Sequence, residues 1–218
     1  MSSCCEPGDL DAIFSPGRAE SEARRYQKRG VVGESRRIVQ LLTRRGIRGR
    51  TVLEVGGGLG VVGLELLRAG ASHATSVDLS RSYELPARRL IDAAGVAEQV
   101  DRLVADFVAE GDRVGAADVV TMQQVVCCYP DPDALVSAAA AHAREALVIT
   151  MPGEWPWARV AAVLINVWPR VVGSRFRFFV HPTRTVIAAA ESEGLTLERR
   201  EKGPFWQTLV FERERGVA

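Results

Sequence analysis

Thr51-Val52-Leu53-Glu54-Val55-Gly56-Gly57-Gly58-Leu59-Gly60, followed by Val77-Asp78-Leu79, decides how this chain folds. The first five residues read as a buried strand. Glycines then crowd the turn, more of them than one tight turn needs. The spacing predicts a helix from about Leu59 to Arg68, with Gly70 at its end, where a left-handed residue is expected. Ala74 to Asp78 reads as a second strand that ends in an acid. This order exposes backbone N–H groups at a helix start and sets a carboxylate about one strand away. Those are the parts of a cradle for a nucleoside-bearing cofactor.

Helices precede this stretch, and strands alternating with helices follow it. Upstream, Gly17 to Gly30 is a charged helical segment containing Tyr26. Gly33 to Arg45 places Ile38, Leu41 and Leu42 at helical spacing, and Gly46 ends it. Downstream, Tyr83 to Ala94 is a helix stopped by Gly95. Val100 to Ala105 is a strand ending at Asp106-Phe107, and Ala117 to Met122 is another. A helix over Asp131 to Ala141 leads to a strand over Leu147 to Met151. Apolar strands alternating with helices predict an α/β fold whose largely parallel sheet is covered on both faces. An inserted helix is expected from Trp157 to Trp168 and another from Thr183 to Glu193. Leu195 to Arg200 and Phe205 to Glu212 alternate apolar and polar, as a closing antiparallel pair does.

With 218 residues the chain suits one domain. Its expected parts are a loose tail (1–16), N-terminal helices or lid (17–46), a cofactor-binding core (51–151), insert helices on the substrate side (152–194) and the closing strands (195–214). The formal net charge of +1 gives no strong overall field toward nucleic acid or an anionic membrane. Met1 to Pro7 lacks the basic and apolar runs of a secretory leader. The longest apolar run, Val160 to Trp168, is closed by Pro169 and is too short to span a bilayer. A cytoplasmic protein without an integral membrane segment or nucleic-acid partner is the expectation. The cysteines fall in two adjacent pairs, Cys4-Cys5 and Cys127-Cys128. Neither has CxxC spacing, so reduced thiols are expected rather than a metal site.

The glycine turn suits several cofactors. A phosphate loop is excluded, since no Lys-Ser or Lys-Thr follows. Gly58, Gly60 and Gly63 formally fit the dinucleotide pattern G-x-G-x-x-G. Glu54, two residues before Gly56, argues against it: a carboxylate repels a pyrophosphate but attracts the ammonium of an amino-acid moiety. Asp106 and Phe107 form an acid-aromatic pair able to accept from an adenine amine and pack on its ring.

On these residues the chain resembles the class I S-adenosylmethionine-dependent methyltransferases. The resemblance implies a Rossmann-like three-layer sandwich with a mostly parallel seven-stranded sheet and an antiparallel closing strand. It implies a cofactor site built from Glu54, Gly56, Gly58, Gly60, Asp78, Leu79, Asp106, Phe107 and Gln123. Asp78 would take the ribose hydroxyls, and the segment Val120 to Pro130 would face the methyl group. A small-molecule acceptor, methylated on oxygen, is the expected partner.

A narrower likeness rests on Val125-Val126-Cys127-Cys128-Tyr129-Pro130-Asp131, on Phe176-Arg177-Phe178-Phe179-Val180-His181-Pro182 and on Tyr26. There the chain is similar to the magnesium-protoporphyrin IX methyltransferase branch, which esterifies a porphyrin propionate. Cys128 stands where that branch carries a His before the Tyr-Pro. The candidate catalytic residues are Tyr129, Cys128 and His181, with Tyr26 as a lid. Arg175, Arg177 and Arg184 read as solvated, or as a fork for a carboxylate substrate. Trp155, Trp157, Val160, Leu164, Ile165 and Trp168 read first as a packed helix face. The alternatives are a pocket wall and a peripheral membrane contact. The competing functions are a cofactor-binding module without catalysis and an NAD-type oxidoreductase.

Overall fold

The computed structural model describes Leu10, residues 13–171 and residues 173–214. Cys4 and Cys5 lie outside the described residues. Where the expected loose tail is described, it is packed. Leu10 is buried, and the Phe14 ring meets Tyr83 and Phe176 at centroid distances of 6.4 and 5.8 Å.

Ahead of the sheet lie the helices α1 (Pro16–Arg29) and α2 (Gly33–Arg44). The Ser15 side chain accepts from the Arg18 N–H and Pro16 sits in the first turn, which fixes where α1 starts. Then follow β1 (Thr51–Val55), α3 (Val61–Arg68), β2 (His73–Asp78), α4 (Glu84–Ala94) and β3 (Val100–Val104). A one-turn helix α5 (Phe107–Glu110), β4 (Ala117–Gln123), α6 (Pro132–His142) and β5 (Ala143–Pro152) complete the parallel part. The insert is α7 (Pro156–Ile165) and α8 (Val167–Val171), followed by α9 (Thr183–Ser192), β6 (Leu195–Lys202) and β7 (Trp206–Arg213). β5 starts well before the expected Leu147, because α6 passes directly into it.

The strands form one seven-stranded sheet in the order β3-β2-β1-β4-β5-β7-β6. β7 is antiparallel to both neighbours and every other pairing is parallel. Register explains the unbroken apolar strands. Val52, Val119, Val148 and Val210 point to the face covered by Ile38 and Leu42 of α2 and Val62 and Leu66 of α3. Leu53, Val120, Leu147 and Phe211 point to the face covered by Leu135 of α6 and Val186 of α9. Both faces are covered by helices, so the core strands need no regular polar alternation. The chain direction across the sheet reverses between β1 and β4. The crevice beyond their carboxyl ends is where ligands gather in such sheets.

The insert departs from its expected packing. Ala158 and Ala162, one helical turn apart, are the buried residues of α7, whereas Trp157, Val160, Val163 and Leu164 are exposed. The close approach of the small residues leaves the large ones facing outward.

Candidate active site

Val55 ends β1 with its neighbours already committed to the core, so the chain must turn sharply. Gly60 makes the entry to α3 in the left-handed region, at φ +73°. Its part is to shape the turn; it does not line the cavity that the turn borders. Gly57 is tighter still. A Cβ there would lie 2.4 Å from Ser76 Oγ, so only glycine fits between β1 and β2. At the end of β2, Asp78 reaches back to the turn: one carboxylate oxygen accepts from Gly58 N–H at 2.7 Å, the other from Ser80 N–H at 2.8 Å. The residue read as a ligand acceptor thus also sets the shape of the glycine turn.

Glu54 occupies the space under that turn. It is 4% exposed and accepts from the Gly63 N–H at 2.8 Å. Gly63 leaves room for it; a Cβ there would lie 2.7 Å from Glu54 Oε2. Burial pushes the Glu54 carboxyl up to about 7, against the opposing pull of the Gly63 N–H and the Arg102 charge. Arg102 crosses beneath the turn, donating to Gly58 O at 2.8 Å and to Glu84 at 3.0 Å. The sequence reading missed it. The available signal was a lone basic residue within the strand Val100–Val104.

These groups form one wall of a cavity of about 370 Å³, lined there by Glu54, Gly56, Gly57, Gly58, Asp78 and Leu79. Tyr83, also unforeseen as a site residue, completes that wall with its ring about 3.6 Å from where a Gly58 Cβ would sit. A side-chain-free glycine surface, a carboxylate at the end of β2 and an aromatic ring on one wall suit a ribonucleoside. A nucleoside cofactor therefore fits the residues present.

The facing wall comes from distant chain segments: Phe14, Arg18, Tyr26, Gln123, Cys128 and Tyr129. Tyr26 lines the cavity with its hydroxyl donated to Glu65 at 2.6 Å, tying α1 to α3. Burial, then that carboxylate, raises the Tyr26 phenol above its ordinary value. Gln123 pairs with Ser35 of α2, the two side chains meeting at 2.8 Å. Cys127 and Cys128 are free thiols in a short turn after β4, their sulfurs 3.7 Å apart. Gln124 ahead of them holds φ +57°, a left-handed conformation uncommon for a side-chain-bearing residue. Its carbonyl accepts from the Cys127 thiol at 3.2 Å. Only Cys128 of the pair lines the cavity; Cys127 is 1% exposed.

Besides Gly60, three expected site residues are absent from the lining. Phe107 is buried with its ring 5.1 Å from that of His142, because it opens α5 and its apolar side chain joins the core under α6. Asp106 caps α5 by accepting from Val108 N–H at 3.0 Å and is reached by the Tyr129 hydroxyl at 3.4 Å. Neither lines the cavity. His181 is buried, with Nε2 2.9 Å from the Tyr129 carbonyl and its ring stacked on Phe179. Burial lowers its affinity for a proton, and it too is absent from the lining. Its contacts are those of a brace for the Tyr129 backbone.

Comparison with known proteins agrees with this architecture. The chain superposes on magnesium protoporphyrin IX methyltransferase (ChlM) from Synechocystis PCC 6803, solved with bound SAH, with a TM-score of 0.71 at 20% identity. That match covers 94% of this chain and 97% of the other. An O-methyltransferase family protein from Burkholderia thailandensis gives a TM-score of 0.70 at 19% identity, over 94% of this chain and 62% of that one. At these identities the likeness concerns the fold. In sequence, a ubiquinone biosynthesis O-methyltransferase from Pseudomonas paraeruginosa is 34% identical over 95 residues, 44% of this chain. The ubiquinone/menaquinone biosynthesis C-methyltransferase UbiE from Roseobacter denitrificans is 36% identical over 75 residues, 34% of this chain. The matches span 40% and 30% of those two relatives' lengths. A family model described as a methyltransferase domain matches residues 24–197. That span takes in α2, the glycine turn, most of both cavity walls and the insert, and by it the chain belongs to the methyltransferase-domain family, of the class I S-adenosylmethionine-dependent kind.

Proposed function

We propose that the protein methylates an oxygen of a small molecule, and that the acceptor oxygen is a carboxylate. The observation that carries this is the composition of the acceptor-side wall. Arg25 contributes a cationic group to the cavity beside the Arg18–Glu22 ion pair, whereas the candidate base His181 is outside it. Glu22, the nearby carboxylate, is engaged by Arg18 at 2.9 Å and by the Tyr83 hydroxyl at 3.1 Å. A carboxylate nucleophile is ionised at neutral pH and needs no base, whereas a phenol or alcohol benefits from one.

On this reading S-adenosylmethionine supplies an electrophilic methyl group on a sulfonium. Asp78 holds the nucleoside end, against a glycine turn whose amides are fixed by Val77 O and by Asp78 itself. Glu54, when ionised, favours the cationic amino-acid end. Cys128 and Tyr129 bound the acceptor side, and Tyr26 and Phe14 limit the access of water. Their common task is to bring the acceptor oxygen into line, the part of such a displacement that an enzyme controls most.

The relatives differ in the atom they methylate, since one is named an O- and the other a C-methyltransferase. Transfer of labelled methyl to a panel of acceptors, starting with protoporphyrin and its magnesium complex, tests the reading. Product label released by mild alkaline hydrolysis marks a carboxyl ester. Label that survives the hydrolysis refutes carboxylate methylation.

A further inference from the structure

Ten large hydrophobic residues are exposed among the described residues, and eight of them fall on α7 and α8: Trp157, Val160, Val163, Leu164, Ile165, Val167, Trp168 and Val171. Leu164 is 68% exposed, Trp168 63% and Val171 70%. Contiguous exposure of this kind marks an interaction surface. The charge of the segment itself is one-sided; Glu154, just ahead of α7, is engaged by the Thr183 N–H at 3.0 Å. From Trp155 to Ala190 the sequence holds five arginines, at 159, 170, 175, 177 and 184, and no acidic residue. The overall charge of +1 hides this local imbalance.

We propose that the α7–α8 face docks on the surface of an anionic lipid bilayer. Two exposed tryptophans, aliphatic side chains and arginines in the same segment are the composition of a helix that lies in the interface plane. At 1.5 Å per residue, the ten residues of α7 extend about 15 Å, half of a hydrocarbon core of about 30 Å. Among the described residues no helix is long and apolar enough to cross a membrane. A second copy of the chain is a poorer occupant. A twofold contact would set the arginine-rich face against itself, with no acid from Trp155 to Ala190 to answer it.

The face is also coupled to the cavity. Asn166, at the end of α7, bonds both the carbonyl and the N–H of Phe178, at 2.8 and 2.7 Å. Phe179 N–H donates to the Cys127 carbonyl at 2.7 Å, and Phe176 meets Phe14 of the cavity wall. A surface held by α7 therefore lies next to the acceptor side, which suits an acceptor that partitions into lipid.

Co-sedimentation of the purified full chain with large unilamellar vesicles tests this. Binding is expected to phosphatidylcholine–phosphatidylglycerol vesicles, at least about tenfold weaker to phosphatidylcholine alone, and weaker as salt rises. Leu164→Glu with Trp168→Glu should abolish it. Arg159→Gln, Arg170→Gln and Arg184→Gln together should weaken it about 100-fold, from about fivefold per arginine. All five side chains are exposed, so melting temperatures should be unchanged. Vesicle binding requires no turnover, so the result is independent of the acceptor. Absence of binding at low salt overturns the proposal. So does a wild-type dimer that Leu164→Glu dissolves, which would make the face a contact between copies.

Discussion

Removal of the Asp78 carboxylate tests two roles, the hold on the glycine turn seen in the structure and the proposed hold on the ligand. Asp78→Ala deletes the acceptors of Gly58 N–H and Ser80 N–H, bonds of 2.7 and 2.8 Å. A hydrogen bond to a charged group contributes about 1.5–3 kcal/mol. Asp78 is half-buried, so water recovers part of each, leaving a net loss of about 2–3 kcal/mol. For a chain of this size that lowers the melting temperature by about 5–10 °C. Loss of two ligand hydroxyl contacts should separately weaken S-adenosylhomocysteine by about 2–3 kcal/mol, or about 30- to 150-fold. Asp78→Asn separates the two effects. It keeps the size and one acceptor oxygen, so stability should fall by about half as much, while affinity still drops at least about tenfold. Calorimetric titration at a temperature where all three proteins are folded gives the affinities, and ligand-free scanning gives the stabilities. Wild-type affinity in folded Asp78→Ala would refute the assignment of this carboxylate to the ligand.

Glu54 predicts a pH dependence. Its carboxyl is raised from 4.5 to about 7, so the folded state favours the protonated form. The associated stability is fully present below about pH 4.5 and is lost as pH rises through about 7, on the order of 3 kcal/mol. Urea titrations at pH 5 and pH 8 should show Glu54→Gln with a flatter profile than wild type; superimposable profiles would contradict the buried carboxyl. Gly57→Ala should destabilise by about 1–3 kcal/mol through overpacking on Ser76 Oγ, and adding Ser76→Gly should restore part of that; no rescue in thermal melts would mean the clash lies elsewhere. Tyr26→Phe removes the 2.6 Å bond to Glu65, so amide exchange in α1 should quicken and ligand affinity should fall several-fold; unchanged exchange would show that α1 is held by its apolar contacts alone. Cys128→Ser should retain turnover within about tenfold if the thiol only lines the cavity, and a loss beyond about 100-fold in methyl transfer would assign it chemistry.

The wall built from β1, the glycine turn and β2 was legible because its signals are local. A strand run, crowded glycines and an acid one βα unit later are all read within about 30 residues. The facing wall was harder. Phe14 and Arg18 reach it because α1 packs on α4, which no local pattern announces. Phe107 and His181 show the converse limit. Sequence placed Phe107 at the carboxyl end of a strand and His181 just before Pro182, but side-chain direction depends on helix starts and packing, and both rings turn into the protein. In α7 the helical spacing was right and the buried face was not. Periodicity marks an apolar side without stating which residues approach a neighbour, and here Ala158 and Ala162 do.

The position of β7 between β5 and β6 has a consequence for synthesis. Residues 206–213 fill a place inside a sheet whose other strands all precede them in the chain. Until they are available, β5 has an open apolar edge along Ala146 to Pro152, and β6 has no partner. An edge of that kind is a template for pairing with other chains. A nascent or truncated form lacking β7 is therefore an aggregation hazard, exposing that edge together with the apolar side of α7 and α8, and the sheet can be sealed only once translation has passed residue 213.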